Sequence, residues 1–283
     1  MCGFLVSYNL ETNFNNFNSA LKIINYRGPD FSDIYYDHNH NIYIGHNRLS
    51  IIDIKQGNQP LWSNNKKIAI VYNGEIYNYK VLKKELHAQG VSFQSNSDTE
   101  VILKMYELLG INSFNKLDGM FAFVIIDFEK NIIISSKDFY GKKPIYFYHK
   151  NNHLIISSEL SPIIHLIKNR VEISNNNFEF FMVNGYYPDD KTIYNDINKQ
   201  TKKVQFEMGE DYQSPDLPNE LLYNKPEKNI RDFVTITKPE KDKKIPTQKK
   251  VDLRNPTLRT KGVKKKISTH NNGNAPKKIQ AEK

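Results

Sequence analysis

The stretch MFAFVIIDFEKNIIISSKDFYGKKPIYFYHKNNHLIISS, residues 120–158, decides the fold class. Its four runs MFAFVIID, NIIISSK, PIYFYH and HLIISS are rich in β-branched and aromatic residues, and Asn, Asp, Gly and Pro bound them as they bound strands. No helix is needed between consecutive runs. They therefore read as antiparallel neighbours, which argues against a doubly wound parallel sheet. Working outward, CGFLVSY (2–8), NIYIGHN (41–47) and KIAIVYN (67–73) bring the expectation to at least seven strands. Two helices carry end signals. One runs from Asn78 to Gln89 and closes at Gly90; the other runs from Ser97 to Leu109, opens with Ser97 and Glu100 in capping-box spacing, and closes at Gly110. Val101, Ile102, Leu103, Tyr106 and Leu109 give the second helix an apolar stripe. A layered α/β or α+β domain over residues 1–198 is expected.

Past Asn198 the pattern fails. From Lys199 onward the chain holds 21 basic and 11 acidic residues, leaving 19 and 20 before it, so the net charge of +9 describes the tail and not the domain. Seven of the 12 prolines lie in this tail, with no sustained apolar period. Its scattered apolar residues cannot offset an ordering entropy of roughly 1–2 kcal/mol per residue, so residues 199–283 are expected to be a basic, mostly disordered tail. The tail's aromatic residues, Phe206, Tyr212, Tyr223 and Phe233, lie outside its most basic stretch, so nucleic-acid contact is not expected. No apolar run approaches the roughly 18 residues of a bilayer span, and the N-terminus lacks a basic region followed by a long apolar one. A cytoplasmic chain without membrane contact is expected. The single cysteine excludes an intramolecular disulfide and any multi-cysteine metal site.

That cysteine is Cys2. Initiator Met is normally removed before a small residue, which would leave Cys2 with a free α-amine beside its thiol. An α-amine titrates near ~7.7–8.0, so one residue could serve as nucleophile and as base. The plain alternative is a small buried residue at a strand start. Arg48, in HNRLSIID, ends a strand where a guanidinium can grip a carboxylate, or simply be solvated. Asn73 and Gly74 follow an apolar run as a turn would, yet an amide and a Gly N–H facing one point make an oxyanion hole. Asp98 stands in a first helical turn, where the macrodipole stabilises a carboxylate, whether as a binding group or as a cap.

Taken in order, Cys2, RGPD (27–30), RLSIID (48–53), NGEIYNY (73–79), SDTE (97–100), LDGMFAF (117–123), DFYGKKPIYFY (138–148) and SSE (157–159) resemble the glutaminase domain of the asparagine synthetase family over roughly the first 195 residues. The resemblance implies a class II glutamine amidotransferase domain with the N-terminal nucleophile hydrolase fold, an αββα sandwich of two antiparallel sheets between helix layers. It implies that Cys2 attacks the side-chain amide of L-glutamine, that its α-amine acts as base and acid, and that Asn73 and Gly74 N–H hold the oxyanion. Arg48 would clamp the α-carboxylate. Asp98, with Glu75 and backbone groups of Leu49, Ser50, Ile51 and Ile52, would take the α-ammonium. No cofactor or metal is implied for this half-reaction.

The family's synthetase half carries a glycine-rich pyrophosphate loop. After Lys199 the only glycines are Gly209, Gly262 and Gly273, each isolated, so such a loop cannot be built there. The family pattern is expected to break near KTIYNDINKQ (191–200), and Ser161 stands where the family often has Lys. The expected function is glutamine hydrolysis, with ATP and Mg entering only through a separate synthetase subunit; a homo-oligomer is the other partner considered. The alternatives are a noncatalytic remnant of asparagine synthetase and a binding module acting through the basic tail.

Overall fold

The computed structural model describes residues 1–208 apart from Lys55, Asn169, Arg170, Asp189 and Lys202. Among the described residues eleven strands form two antiparallel sheets. The first orders β10(Ile197–Lys199), β8(Tyr146–Lys150), β9(His153–Ser157), β1(Gly3–Tyr8), β3(Ile42–Arg48) and β2(Phe31–Asp37). The second orders β11(Val204–Glu207), β7(Ile132–Lys137), β6(Gly119–Asp127), β5(Ile68–Ile76) and β4(Leu61–Trp62). Helices α1(Phe14–Ile23) and α4(Leu160–Ile167) cover the first sheet, α2(Tyr79–Ala88) and α3(Asp98–Leu109) cover the second, and α5(Asn175–Asn184) buries none of its residues.

Strand alternation builds these layers, because successive side chains point to opposite faces. Phe4 and Val6 of β1, Ala69 and Val71 of β5, and Ala122, Val124 and Ile126 of β6 meet between the sheets. The intervening Leu5 packs under α1 and α4, whereas Ile68, Ile70, Phe121, Phe123 and Ile125 pack under α2 and α3. Both faces of the central strands are therefore apolar, and the result is an αββα sandwich.

Seven expected strands are present. Strands β2 and β4 went unread because β2 is an edge with a largely exposed polar and aromatic pattern and β4 spans two residues. The expected boundary at 198 is corrected: β10 ends at Lys199, β11 continues the second sheet, Phe206 is buried, and Gln200 is bonded twice to Ser135, Oγ to Oε1 at 2.7 Å and Nε2 to the backbone oxygen at 3.0 Å. Two alternating apolar residues in a polar context are too weak a signal, but an existing sheet edge is enough to recruit them. The rest of the expected tail, from 209, lies outside the described residues. The capping box is also corrected. Ser97 Oγ caps Thr99 N at 3.1 Å, but the Glu100 carboxylate reaches past Ser97 to Gln94 N and Ser95 N, at 2.8 and 2.7 Å. No helix among the described residues is long and apolar enough to cross a membrane.

Candidate active site

The period of two that fills the inter-sheet core also aligns the polar residues. Extending the inward series of β1, β3 and β5 toward one end of the sandwich reaches Cys2, then His46 and Arg48, then Asn73. There the apolar core stops and a cavity of about 140 Å³ opens, lined by Cys2, Arg48, Leu49, Ile51, Ile52, Asn73, Gly74, Glu75 and Asp98 among others. Of the expected site residues Ser50 alone stays out of this lining; its amide is held by Asp30 Oδ2 at 2.7 Å.

Cys2 is partly buried. Its sulfur accepts from Leu49 N at 3.4 Å and lies 3.7 Å from Leu49 O. Burial pushes the thiol pKa up, while the Leu49 hydrogen bond, the N-terminal charge, Arg48 and Arg27 pull it down. The RGPD turn, legible only as a turn, is a strap that fixes the nucleophile. Arg27 Nε donates to the Cys2 carbonyl at 3.0 Å, and Nη1 pairs with Glu159 at 2.7 Å. The turn lies so close on β3 that a Cβ on Gly28 would meet Asn47 O at 2.3 Å, so glycine is required.

Arg48 is buried and turned onto the loop that follows it. Nη1 donates to Ile54 O at 3.1 Å and Asn58 Oδ1 at 2.7 Å, and Nη2 donates to Ile52 O at 3.0 Å and Asp53 O at 2.6 Å. The loop passes the guanidinium at Gly57, where a Cβ would lie 2.5 Å from Nη2.

Among the described residues Asn73 Nδ2 is buried without a hydrogen-bond partner, as are Arg27 Nη2, His46 Nδ1 and Asn47 Oδ1, but of these four residues Asn73 alone lines the cavity with Cys2. An unmade hydrogen bond of this kind costs about 1–3 kcal/mol, so the donor is poised for an acceptor. Gly74 allows β6 to close on the strand, since a Cβ there would meet Met120 O at 2.3 Å. Glu75 is exposed at the cavity rim. Asp98, at the start of α3, accepts from Tyr72 OH at 2.7 Å, Ile76 N at 3.1 Å and Thr99 N at 3.0 Å. Burial raises its pKa and these bonds oppose the rise.

Sequence reasoning did not single out Tyr72, Gln59, Met120 or Lys143, which also line the cavity. Gln59 Oε1 accepts from Tyr72 N at 2.6 Å, which ties the loop to β5. Lys143 and Met120 stood inside the quoted blocks DFYGKKPIYFY and LDGMFAF, so only their roles were missing. Gln59 had no signal of its own.

The αββα sandwich is the N-terminal nucleophile hydrolase fold. The solved glutamine phosphoribosylpyrophosphate amidotransferase from B. subtilis, complexed with ADP and GMP, shares the fold with a TM-score of 0.50 at 22% identity, over 59% of this chain and 43% of that one. A family model of the glutamine amidotransferase domain matches residues 1–214, and the chain belongs to that family. Its relatives include a putative glutamine-hydrolyzing asparagine synthetase 2 of Methanocaldococcus jannaschii, 36% identical over 220 residues, 70% of this chain and 42% of the relative. Glutamine-hydrolyzing asparagine synthetase 1 of Bacillus subtilis is 35% identical over 190 residues, 67% of this chain and 30% of that protein. The chain therefore spans less than half the length of these curated relatives. The match through residue 214 corrects the expected break near KTIYNDINKQ, a segment whose end forms β10.

Proposed function

We propose that the chain hydrolyses the side-chain amide of L-glutamine to glutamate and ammonia. The observation that carries this reading is the unpartnered Nδ2 of Asn73 in the cavity that Cys2 lines. With Met1 removed, the α-amine of Cys2 takes the thiol proton and the sulfur attacks the amide carbon. The tetrahedral oxyanion is held by Asn73 Nδ2 and the Gly74 N–H, donors aimed at charge that exists only after attack. The amine returns its proton to the departing nitrogen, ammonia leaves, and water cleaves the thioester by the same route.

The substrate is a zwitterion, and the cavity offers both signs. Arg48 meets the α-carboxylate, while Asp98 and Glu75 take the α-ammonium, helped by backbone groups of Leu49 to Ile52. Because Arg48 already holds three loop carbonyls and Asn58, it can reach a carboxylate only as the loop gives up part of that network. Binding is thus coupled to loop adjustment. The relatives' names extend the reading to ammonia supplied for asparagine formation, in which case ATP and Mg act on a synthetase partner and not in this cavity. The test is glutamate release from glutamine by the purified protein. Cys2→Ala should abolish it, and activity that survives Cys2→Ala would refute the assignment.

A further inference from the structure

Lys143 has no part in the reaction just proposed, yet the fold holds it at the cavity wall. Asp138 gathers the turn after β7 by accepting from Phe121 N and Lys143 N, both at 3.2 Å, and Lys142 N at 3.0 Å. Lys143 is 7% exposed and makes no ion pair with any described residue. Its Nζ instead lies 3.0 Å from Met1 Sδ. Met1, Cys2 and Lys143 line one cavity, so the ammonium lies close to the chain start, where the α-amine of Cys2 appears once Met1 is gone.

The other charges around this point are largely spoken for. Arg27 is paired with Glu159, Arg48 is turned onto loop oxygens, and Asp98 and Asp138 each accept hydrogen bonds from their own turn and from a neighbouring strand. Glu75 and the Cys2 thiol complete the set that Lys143 feels, along with Arg27 and Asp138. Asp138 and Glu75 attract the ammonium, but neither reaches it as an ion pair, and packing alone would be satisfied by an apolar side chain. We propose that Lys143 is a positioning residue acting by its charge: it disfavours protonation of the Cys2 α-amine and favours the thiolate, so that the amine is a free base near neutral pH. This inference rests on the glutaminase reading, and it adds the group that tunes the base. Physically, a like charge close to an amine disfavours its ammonium form.

The test uses protein beginning at Cys2, as wild type, Lys143→Met, Lys143→Gln and Lys143→Arg. The chain has one cysteine, so labelling with ¹⁵N-cysteine reports a single nitrogen whose shift is followed against pH. Removing the charge should raise the amine pKa by about one unit, whereas Lys143→Arg should stay close to wild type. The acid limb of kcat/KM should move by the same amount, a loss of about tenfold on that limb that disappears at high pH. An unmoved amine in the neutral variants, or an equal shift in Lys143→Arg, overturns the proposal; the second neutral variant covers the case in which the first does not fold. If wild type released no glutamate, the glutaminase reading would fail while the nitrogen titration still decided the role of Lys143.

Discussion

The Tyr72 hydroxyl donates to the Asp98 carboxylate at 2.7 Å, joining the middle of β5 to the first turn of α3, and both residues are buried. This bond favours the ionised form of an acid whose pKa burial raises. The folded state therefore holds the Asp98 proton more tightly than the unfolded chain does, and its charge costs stability that acidification relieves. Tyr72→Phe should raise the Asp98 pKa further. If that carboxylate binds the α-ammonium, the rise of KM for glutamine at falling pH should begin at a higher pH in the variant, with little difference at alkaline pH. Superimposable KM profiles would remove Asp98 from the binding site.

Asn73 and Arg48 should fail in different ways. Asn73→Ala removes a donor used only after attack, so kcat should fall by about 10² to 10³ with KM little changed. Arg48→Ala should raise KM by about ten- to a hundredfold. It should also lower the thermal midpoint, because it strips partners from Ile52, Asp53 and Ile54. Steady-state kinetics with a melting curve separates the two; reversed patterns would contradict the assignments.

His46 gives a stability prediction independent of catalysis. It is fully buried beneath the site with Nε2 at 3.1 Å from Tyr72 O, and burial pulls its pKa from 6.5 to about 4. Between these values the unfolded chain binds the proton and the folded one does not. Stability should thus decline as pH falls through this window, by up to about 3 kcal/mol from this group. A His46→Gln variant that folds should show a flatter dependence between pH 6.5 and 4. Chemical unfolding at stepped pH measures it, and a slope equal to wild type would count against His46 as its source.

The role of β11 is testable by truncation. Ending the chain at Lys199 discards the burial of Phe206, worth about 1.5–3 kcal/mol, and the two Gln200 bonds to Ser135, at about 0.5–1.5 kcal/mol each. At roughly 2–4 °C per kcal/mol the midpoint should drop by about 10 °C relative to a chain ending at Met208. Equal midpoints would mean that β11 adds nothing to the second sheet.

Maturation is the remaining prediction. Met1 lines the cavity beside Cys2, and its amide bond removes the base. Protein shown by intact mass to retain Met1 should have at least about 10²-fold lower turnover than protein starting at Cys2. Comparable activity in the two forms would rule out the α-amine mechanism.

The sequence by itself determined the strands of residues 120–158, their antiparallel pairing and both helices over the second sheet, because period and turn residues are local; the sandwich, and the choice of Cys2, Arg48, Asn73, Gly74 and Asp98 as candidates, came from the ordered motifs that resemble a known family. Tertiary structure alone decided that the inward faces of β1, β3 and β5 end at one cavity, since alternation says which side chains share a face but not which strands face each other. It also decided that Arg27 reaches back to the Cys2 carbonyl, that Arg48 grips its own loop, and that β11 joins an existing sheet edge. Those features depend on contacts between residues far apart in the chain, and no local pattern encodes which partner a buried hydrogen-bonding group will find.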